Sequence, residues 1–199
     1  IVATDSAEIM DCVNAFGGEA VMTSAHHQSG SDRIAEVAGD LDADIIVNVQ
    51  GDEPLIDRDS LSALLDAFGD PDVRIASLMT RITDAAQLQD PNCVKVITDK
   101  RGDAIYFSRS LIPYNRDHAE GTDYFRHIGV YAYRREALLL FVSLPMGRLE
   151  GIEKLEQLRA LENGIPIRMV KTLYQGIGID TPNDLARVQQ MLAGQRTIS

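Results

Sequence analysis

The stretch Asp44-Ile45-Ile46-Val47-Asn48-Val49-Gln50-Gly51-Asp52-Glu53-Pro54 constrains the fold more than any other. Ile45, Ile46, Val47 and Val49 form a short, nearly continuous apolar run. Its length, its β-branching and the Gly and Pro that follow predict a strand buried on both faces. Gly51 permits a turn with little side-chain bulk, and Pro54 stops further strand pairing. Asp52 and Glu53 should therefore stand where a central strand leaves its sheet, the place where open α/β sheets bind ligands. A carboxylate there could hold a divalent metal beside a phosphate chain. A solvated acidic turn would read the same way locally.

The neighbouring segments alternate in type. Ile1 to Ala3 reads as a strand end. A helix follows, with Ile9, Cys12, Val13 and Phe16 on its apolar face, a cap at Asp5 or Ser6, and Glu8 placed for a capping box with Asp5. Glu19–Thr23 is a second strand. Ile34, Val37, Ala38 and Leu41 mark a helix, and so do Leu61, Leu64, Leu65 and Phe68. A strand around Ile75–Met79 comes next. This order predicts a doubly wound, mostly parallel α/β sheet flanked by helices. After Pro91 the pattern changes: Val94–Thr98 and Asp103–Phe107 are strands joined by Asp99-Lys100-Arg101-Gly102, a hairpin. The expected sheet is therefore mixed, with a small antiparallel excursion over about residues 94–133 inside one domain spanning 1–199. Further helices are expected at 137–143 and 151–162, a strand at 166–172, and a last helix led by Thr181-Pro182 and ended by Gly194.

Composition narrows the functional classes. The chain has 199 residues, 45% hydrophobic and 25% charged, enough for one substantial core. No apolar run is long enough to cross a membrane. The formal net charge of -11 and the lack of a basic cluster argue against a nucleic-acid partner. Cys12 and Cys93, the two cysteines, make neither a disulfide framework nor a zinc pattern. They read as buried thiols of a cytoplasmic protein.

Several motifs could carry chemistry. His26-His27-Gln28-Ser29-Gly30-Ser31-Asp32-Arg33 is a polar loop of small residues before a helix. It could approach a planar base closely or simply cap the helix. Arg109 and Arg116 flank a Pro-containing connection, and a guanidinium can grip a carboxylate through paired hydrogen bonds. His127, Gly129, Tyr131 and Tyr133 alternate onto one strand face. Glu153 and Glu156, three apart on the expected helix, share a face. Asp180 precedes a helix cap at another element boundary.

In combination these motifs are more specific. His-Gln-Ser-Gly-Ser-Asp-Arg, Asn-Val-Gln-Gly-Asp-Glu-Pro, Phe-Ser-Arg, Ile-Pro-Tyr, Arg-His-Ile-Gly, Glu-Lys-Leu-Glu-Gln-Leu-Arg and Gly-Ile-Asp-Thr-Pro occur in order over nearly the whole chain. The set resembles the 3-deoxy-manno-octulosonate cytidylyltransferase (CMP-Kdo synthetase) family. That resemblance implies a nucleotide-diphospho-sugar transferase fold. It implies a reaction of CTP with 3-deoxy-D-manno-octulosonate (Kdo) to give CMP-Kdo and pyrophosphate, for lipopolysaccharide assembly, in a cytoplasmic homodimer. By the same resemblance, Asp52 and Asp180 hold Mg²⁺. Arg116 with Arg109 anchors the sugar carboxylate. Gln50, His127, Tyr131, Glu153 and Glu156 orient its hydroxyls, and Ser29, Gly30 and Arg33 hold the cytidine.

The family begins with a strand and a basic, Gly-containing phosphate loop that has no counterpart here. Ile1-Val2-Ala3-Thr4-Asp5 reads as though the chain starts inside a domain. A chain of these residues alone is expected to fold but to be catalytically deficient. Two other readings stay open. One is a cytidylyltransferase for 8-amino Kdo or sialic acid; the other is a nucleotide-binding domain without transfer activity.

Overall fold

The computed structural model describes residues 1–176, 178–179 and 182–196, with the backbone alone for Pro182 and 193–196. Two compact units emerge, each assembled from two separate stretches of chain. The first unit comprises residues 1–48 and 132–165. It opens with β1 (Val2–Thr4), α1 (Ala7–Ala15) and β2 (Ala20–Met22). The two strands pair in parallel, Ala3 opposite Val21, because α1 supplies the crossover that parallel neighbours need. Next come α2 (Gly30–Gly39) and β3 (Ile45–Asn48). The second stretch contributes the end of β7 (Phe125–Arg134), then α5 (Arg135–Ser143), α6 (Arg148–Glu153) and α7 (Leu158–Glu162). Arg135 fastens α2: its Nε and Nη2 donate to the carbonyls of Ala38 and Gly39 at 2.8 and 2.6 Å. Those are orphan acceptors at a helix C-terminus, where a cation is favoured.

The second unit comprises residues 49–131 and 166–199. Its elements are α3 (Arg58–Asp66), a 3₁₀ turn (Ala67–Gly69), β4 (Ile75–Arg81), α4 (Ala86–Gln89), β5 (Lys95–Thr98), β6 (Ala104–Ser108), most of β7, β8 (Arg168–Lys171) and α8 (Pro182–Arg196). The strand order is β6-β5-β7-β4-β8, and β3 pairs with β7. β4 and β8 are parallel, whereas β5 runs antiparallel to both β6 and β7. This is the expected mixed α/β sheet, and the 99–102 connection is the hairpin turn, with Gly102 at φ +88°. Leu64, Ile75, Leu78, Val96, Phe107, Ile128 and Val130 fill the core of this unit. Each such side chain contributes about 1.5–3 kcal/mol on burial. Lys95 is fully buried among them, its Nζ donating to the carbonyls of Asp90 (2.7 Å) and Arg109 (3.1 Å). No described helix is long and apolar enough to cross a membrane.

Several expectations need correction. The central strand is not buried on both faces: Ile46 and Asn48 are buried, Ile45 and Val47 half-buried, and Val49 exposed. Of the face assigned to α1 only Val13 is buried, while Ile9 and Phe16 stand exposed. Ser6 caps α1 by accepting from Ile9 N, so no Asp5–Glu8 box forms; the Asp5 carboxylate pairs with Arg33 instead. Cys12 is exposed and Cys93 half-buried rather than core thiols. Leu65 on α3 and Leu185 and Leu192 on α8 are exposed, and α8 continues through Gly194 to Arg196. The continuous helix expected over 151–162 is two helices. Lys154 adopts the left-handed conformation (φ 54°, ψ 48°), and its N–H bonds back to the Glu150 carbonyl. That closes α6 as a C-terminal cap does, so Glu153 and Glu156 do not share a helix face.

Candidate active site

In the first unit the polar loop before α2 is organised by its own side chains. Ser29 is the N-cap: its Oγ accepts from Asp32 N at 3.2 Å and donates to the Asp32 carboxylate at 3.0 Å. Gly30 opens the helix, and no atom lies within 4 Å of where its Cβ would stand. A ligand can therefore reach that backbone. Arg33 turns its guanidinium to Thr23 Oγ1 (2.5 Å) and to the Asp5 carboxylate (2.9 Å), tying the ends of β1 and β2 to α2. Its hydrogen bond holds the Asp5 carboxyl below the usual carboxylate range. His27 pairs with Glu36, whose carboxyl is lowered for the same reason.

Glu153 ends α6, half-buried, and Glu156 lies in the short connection to α7. Glu156 Oε2 accepts from Ser31 Oγ at 2.8 Å. Its Oε1 is buried without a hydrogen-bond partner among the described residues, 3.8 Å from Arg159 Nη2. Beside it is an ion pair that the sequence did not reveal. Arg159 donates from Nε and Nη2 to Glu150 Oε2 and Oε1 at 2.9 and 2.6 Å. The guanidinium also stacks 5.1 Å from the Phe141 ring centroid. Burial pushes the Glu150 carboxyl up, but the Arg159 bonds and the Gly147 N–H outweigh it and leave it low. A Cβ on Gly147 would lie 2.0 Å from Glu162 Oε2, so any larger residue there would displace the Glu162 carboxylate.

In the second unit the chain turns sharply where β3 ends. Glu53 N donates to the Gln50 carbonyl at 3.0 Å and closes the turn. Asp52 is exposed on it, whereas Glu53 is buried and accepts from the Tyr174 hydroxyl at 3.0 Å. Desolvation, then the Glu53 charge, keeps the Tyr174 phenol above its ordinary range, so it remains a donor. Ile179 N donates to the Asp52 carbonyl at 3.0 Å, and Arg126 Nη2 to that of Gly176 at 3.1 Å. The chain leading to Asp180 is thus laced to the Asp52 turn and to β7, while Asp180 itself lies outside the described residues. Among the described residues no group of three or more His, Cys, Asp or Glu is gathered to hold a metal. The exposed Asp52 carboxylate is a hard oxygen donor of the kind Mg²⁺ uses, one or two at a time, with substrate phosphates completing its shell.

Gln50 rests over Gly129, its amide 3.7 Å from the position of an added Cβ. Arg109 donates to the Pro91 carbonyl at 2.9 Å, and Arg116 is exposed on the following loop. His127 lies edge-on to Phe107 (5.2 Å between centroids) and tilted against Tyr131 (5.3 Å), as the strand alternation predicts. Its Nε2 is 2.9 Å from Ser77 Oγ, whose hydroxyl also bonds the Val130 carbonyl. Desolvation, followed by the nearby Arg126 charge, lowers its pKa to about 3 from 6.5. The folded imidazole is therefore neutral at pH 7.

That shift has a definite sign. Between about pH 6.5 and 3 the unfolded chain binds a proton that the folded chain refuses. Stability is complete above that window and falls as pH drops through it. His127→Asn should flatten the pH dependence of the urea midpoint between pH 7 and 4.5. An unchanged slope would contradict the assignment.

Comparisons with known proteins agree with this arrangement of fold and motifs. A cytidylyltransferase family profile matches residues 1–171. The 3-deoxy-manno-octulosonate cytidylyltransferase of Solibacter usitatus (strain Ellin6076) is 52% identical over 96% of this chain and 76% of its own. That of Flavobacterium johnsoniae is 54% identical over 96% of this chain and 80% of its own. The chain belongs to the 3-deoxy-manno-octulosonate cytidylyltransferase family. A solved structure of CMP:2-keto-3-deoxy-manno-octonic acid synthetase complexed with CTP superposes with a TM-score of 0.92. It is 44% identical, over 98% of this chain and 80% of that one.

For this cytidylyltransferase, sequence reading found the turn at Asp52 and the His127–Tyr131 face, and left the Ser29 loop open between a base contact and a helix cap. It missed Glu150, Arg159, Tyr174 and the buried role of Glu53. A charged pair such as Glu150 and Arg159, on two short helices separated by a cap, leaves no periodic trace.

Proposed function

We propose that the protein transfers the cytidylyl group of CTP to Kdo, giving CMP-Kdo and pyrophosphate. The observation carrying this reading is the 0.92 TM-score at 44% identity to a synthetase that binds CTP. The anomeric oxygen of the sugar attacks the α-phosphorus, the bond to the β-phosphate oxygen breaks, and pyrophosphate leaves with its electron pair. The hydroxyl proton passes to solvent. Positioning and charge stabilisation supply the rate, since no covalent intermediate is needed.

On this reading Ser29, Gly30 and Arg33 take the cytidine side, where the open Gly30 backbone admits a base. Arg116, with Arg109, takes the sugar carboxylate. Gln50, His127, Tyr131, Glu153 and Glu156 face its hydroxyls. His127 would use Nδ1, because Nε2 is engaged by Ser77. Asp52 and Asp180 would hold Mg²⁺, which when bound neutralises phosphate charge. The enzyme would work as a cytoplasmic homodimer whose product feeds lipopolysaccharide assembly.

The test is pyrophosphate release with CTP and, separately, Kdo, 8-amino Kdo and sialic acid. Turnover should be highest with Kdo; turnover confined to another acid rejects the proposal, and CTP binding without pyrophosphate release from any acid favours a nucleotide-binding domain without transfer activity. In the same assay Arg116→Ala should raise the KM for Kdo and leave that for CTP alone. The loss of a charge-assisted hydrogen bond, about 1.5–3 kcal/mol, corresponds to about 10- to 150-fold. A change confined to CTP would remove Arg116 from the sugar site.

A further inference from the structure

Ser31 sits one residue beyond the open glycine of the α2 loop, yet it does not face the loop's exterior. It is 4% exposed, and its hydroxyl donates to Glu156 Oε2, 125 residues away in sequence, at 2.8 Å. The Tyr133 phenol, itself 3% exposed on β7, neighbours the same hydroxyl. Burial, then the Glu156 charge, keeps the Tyr133 phenol protonated.

The result is a carboxylate whose two oxygens are held differently. Glu156 Oε2 is hydrogen-bonded by Ser31, whereas Oε1 is buried with no hydrogen-bond donor among the described residues, paired only by charge with Arg159 at 3.8 Å. A buried acceptor left open in this way is costly unless a donor arrives. The connection carrying Glu156 is not a continuous helix, since Lys154 breaks it. Its backbone alone therefore does not fix the direction of the Glu156 side chain. Ser31 does so from another element.

We propose that Ser31 is a positioning residue for the sugar acid rather than a nucleotide contact, acting by fixing the orientation of the Glu156 carboxylate on which the sugar hydroxyls depend. The loop before α2 then serves both substrates: Ser29 and Gly30 face the nucleotide, while the next residue sets the sugar side. This rests on the reading of Glu156 as a sugar-side group.

The experiment is steady-state kinetics of the full chain with CTP and Kdo varied in turn. The proteins are the wild type, Ser31→Ala, Ser31→Thr, Glu156→Gln and the double variant Ser31→Ala/Glu156→Gln. Ser31→Ala should raise the Kdo KM about tenfold, the scale of one hydrogen bond to a charged group, with the CTP KM within about twofold of wild type. Ser31→Thr, which keeps the hydroxyl, should restore the Kdo KM. The double variant should be no worse for Kdo than Glu156→Gln alone, because both changes remove one interaction. A rise in the CTP KM matching that for Kdo, failure of Thr to rescue, or additive losses would overturn the proposal. Should Glu156→Gln leave the Kdo KM unchanged, the sugar-side reading of Glu156 falls, and this proposal with it. If only Ser31→Ala is silent, the Ser31 role falls alone.

Discussion

Asp52→Asn should abolish most turnover while leaving the fold intact. The substitution keeps the size of the side chain and removes the charge that is proposed to hold Mg²⁺. Metal stabilisation of phosphoryl charge is worth several kcal/mol, so kcat should fall on the order of 10²–10³-fold at limiting Mg²⁺. Asp52 is exposed, and among the described residues its recorded hydrogen bond is at the backbone carbonyl, from Ile179 N. The unfolding free energy should therefore stay within about 0.5 kcal/mol of wild type. The check is a Mg²⁺ titration of pyrophosphate release alongside urea unfolding. Wild-type turnover at limiting metal would dismiss Asp52 as a metal ligand. A large loss of stability would move its role to the fold.

Glu150→Ala should produce the opposite pattern, with the largest stability loss expected of any single substitution in the first unit. The Arg159 side chain is 10% exposed and that of Glu150 is 8%. Removing one partner leaves a buried charge without compensation, which costs about 3–5 kcal/mol. Gly147 N would lose its acceptor as well. Urea unfolding followed by circular dichroism measures the loss. The replacement Glu150→Leu with Arg159→Met should recover most of it, since apolar pairs commonly replace buried ion pairs without net cost. A loss below about 1 kcal/mol for Glu150→Ala would mean that water already compensates Arg159.

These two residues also mark how far the sequence could be read. Asp52 was legible because an apolar run, a glycine and a proline act within a few positions, so local chemistry dictates the turn. The mixed sheet was legible for a similar reason, through the short hairpin at 99–102. Glu150 and Arg159 were not. Each is an ordinary charged residue until the αL cap at Lys154 folds one short helix back beside the other. The same cap explains why 151–162 looked like a single helix: Ile152, Leu155, Leu158 and Leu161 keep helical spacing across a break made by backbone conformation alone. On α1 the spacing of Ile9, Cys12 and Phe16 promised a buried face. Periodicity says which residues share a side of a helix, but not whether anything packs against it.

The division of the chain into units bears on how the protein is made. Neither unit is a continuous segment: residues 1–48 belong with 132–165, and 49–131 with 166–199. A cleavage after residue 48 or 165 severs one unit and a cleavage after 131 severs both, so no single nick separates the two units as whole pieces. During synthesis residues 1–48 emerge while their complement is still untranslated. They must wait until about residue 165 has left the ribosome before their unit can close. Such closure joins sequence-distant segments, which slows folding and lengthens the time that unfinished strand edges stay open to other chains.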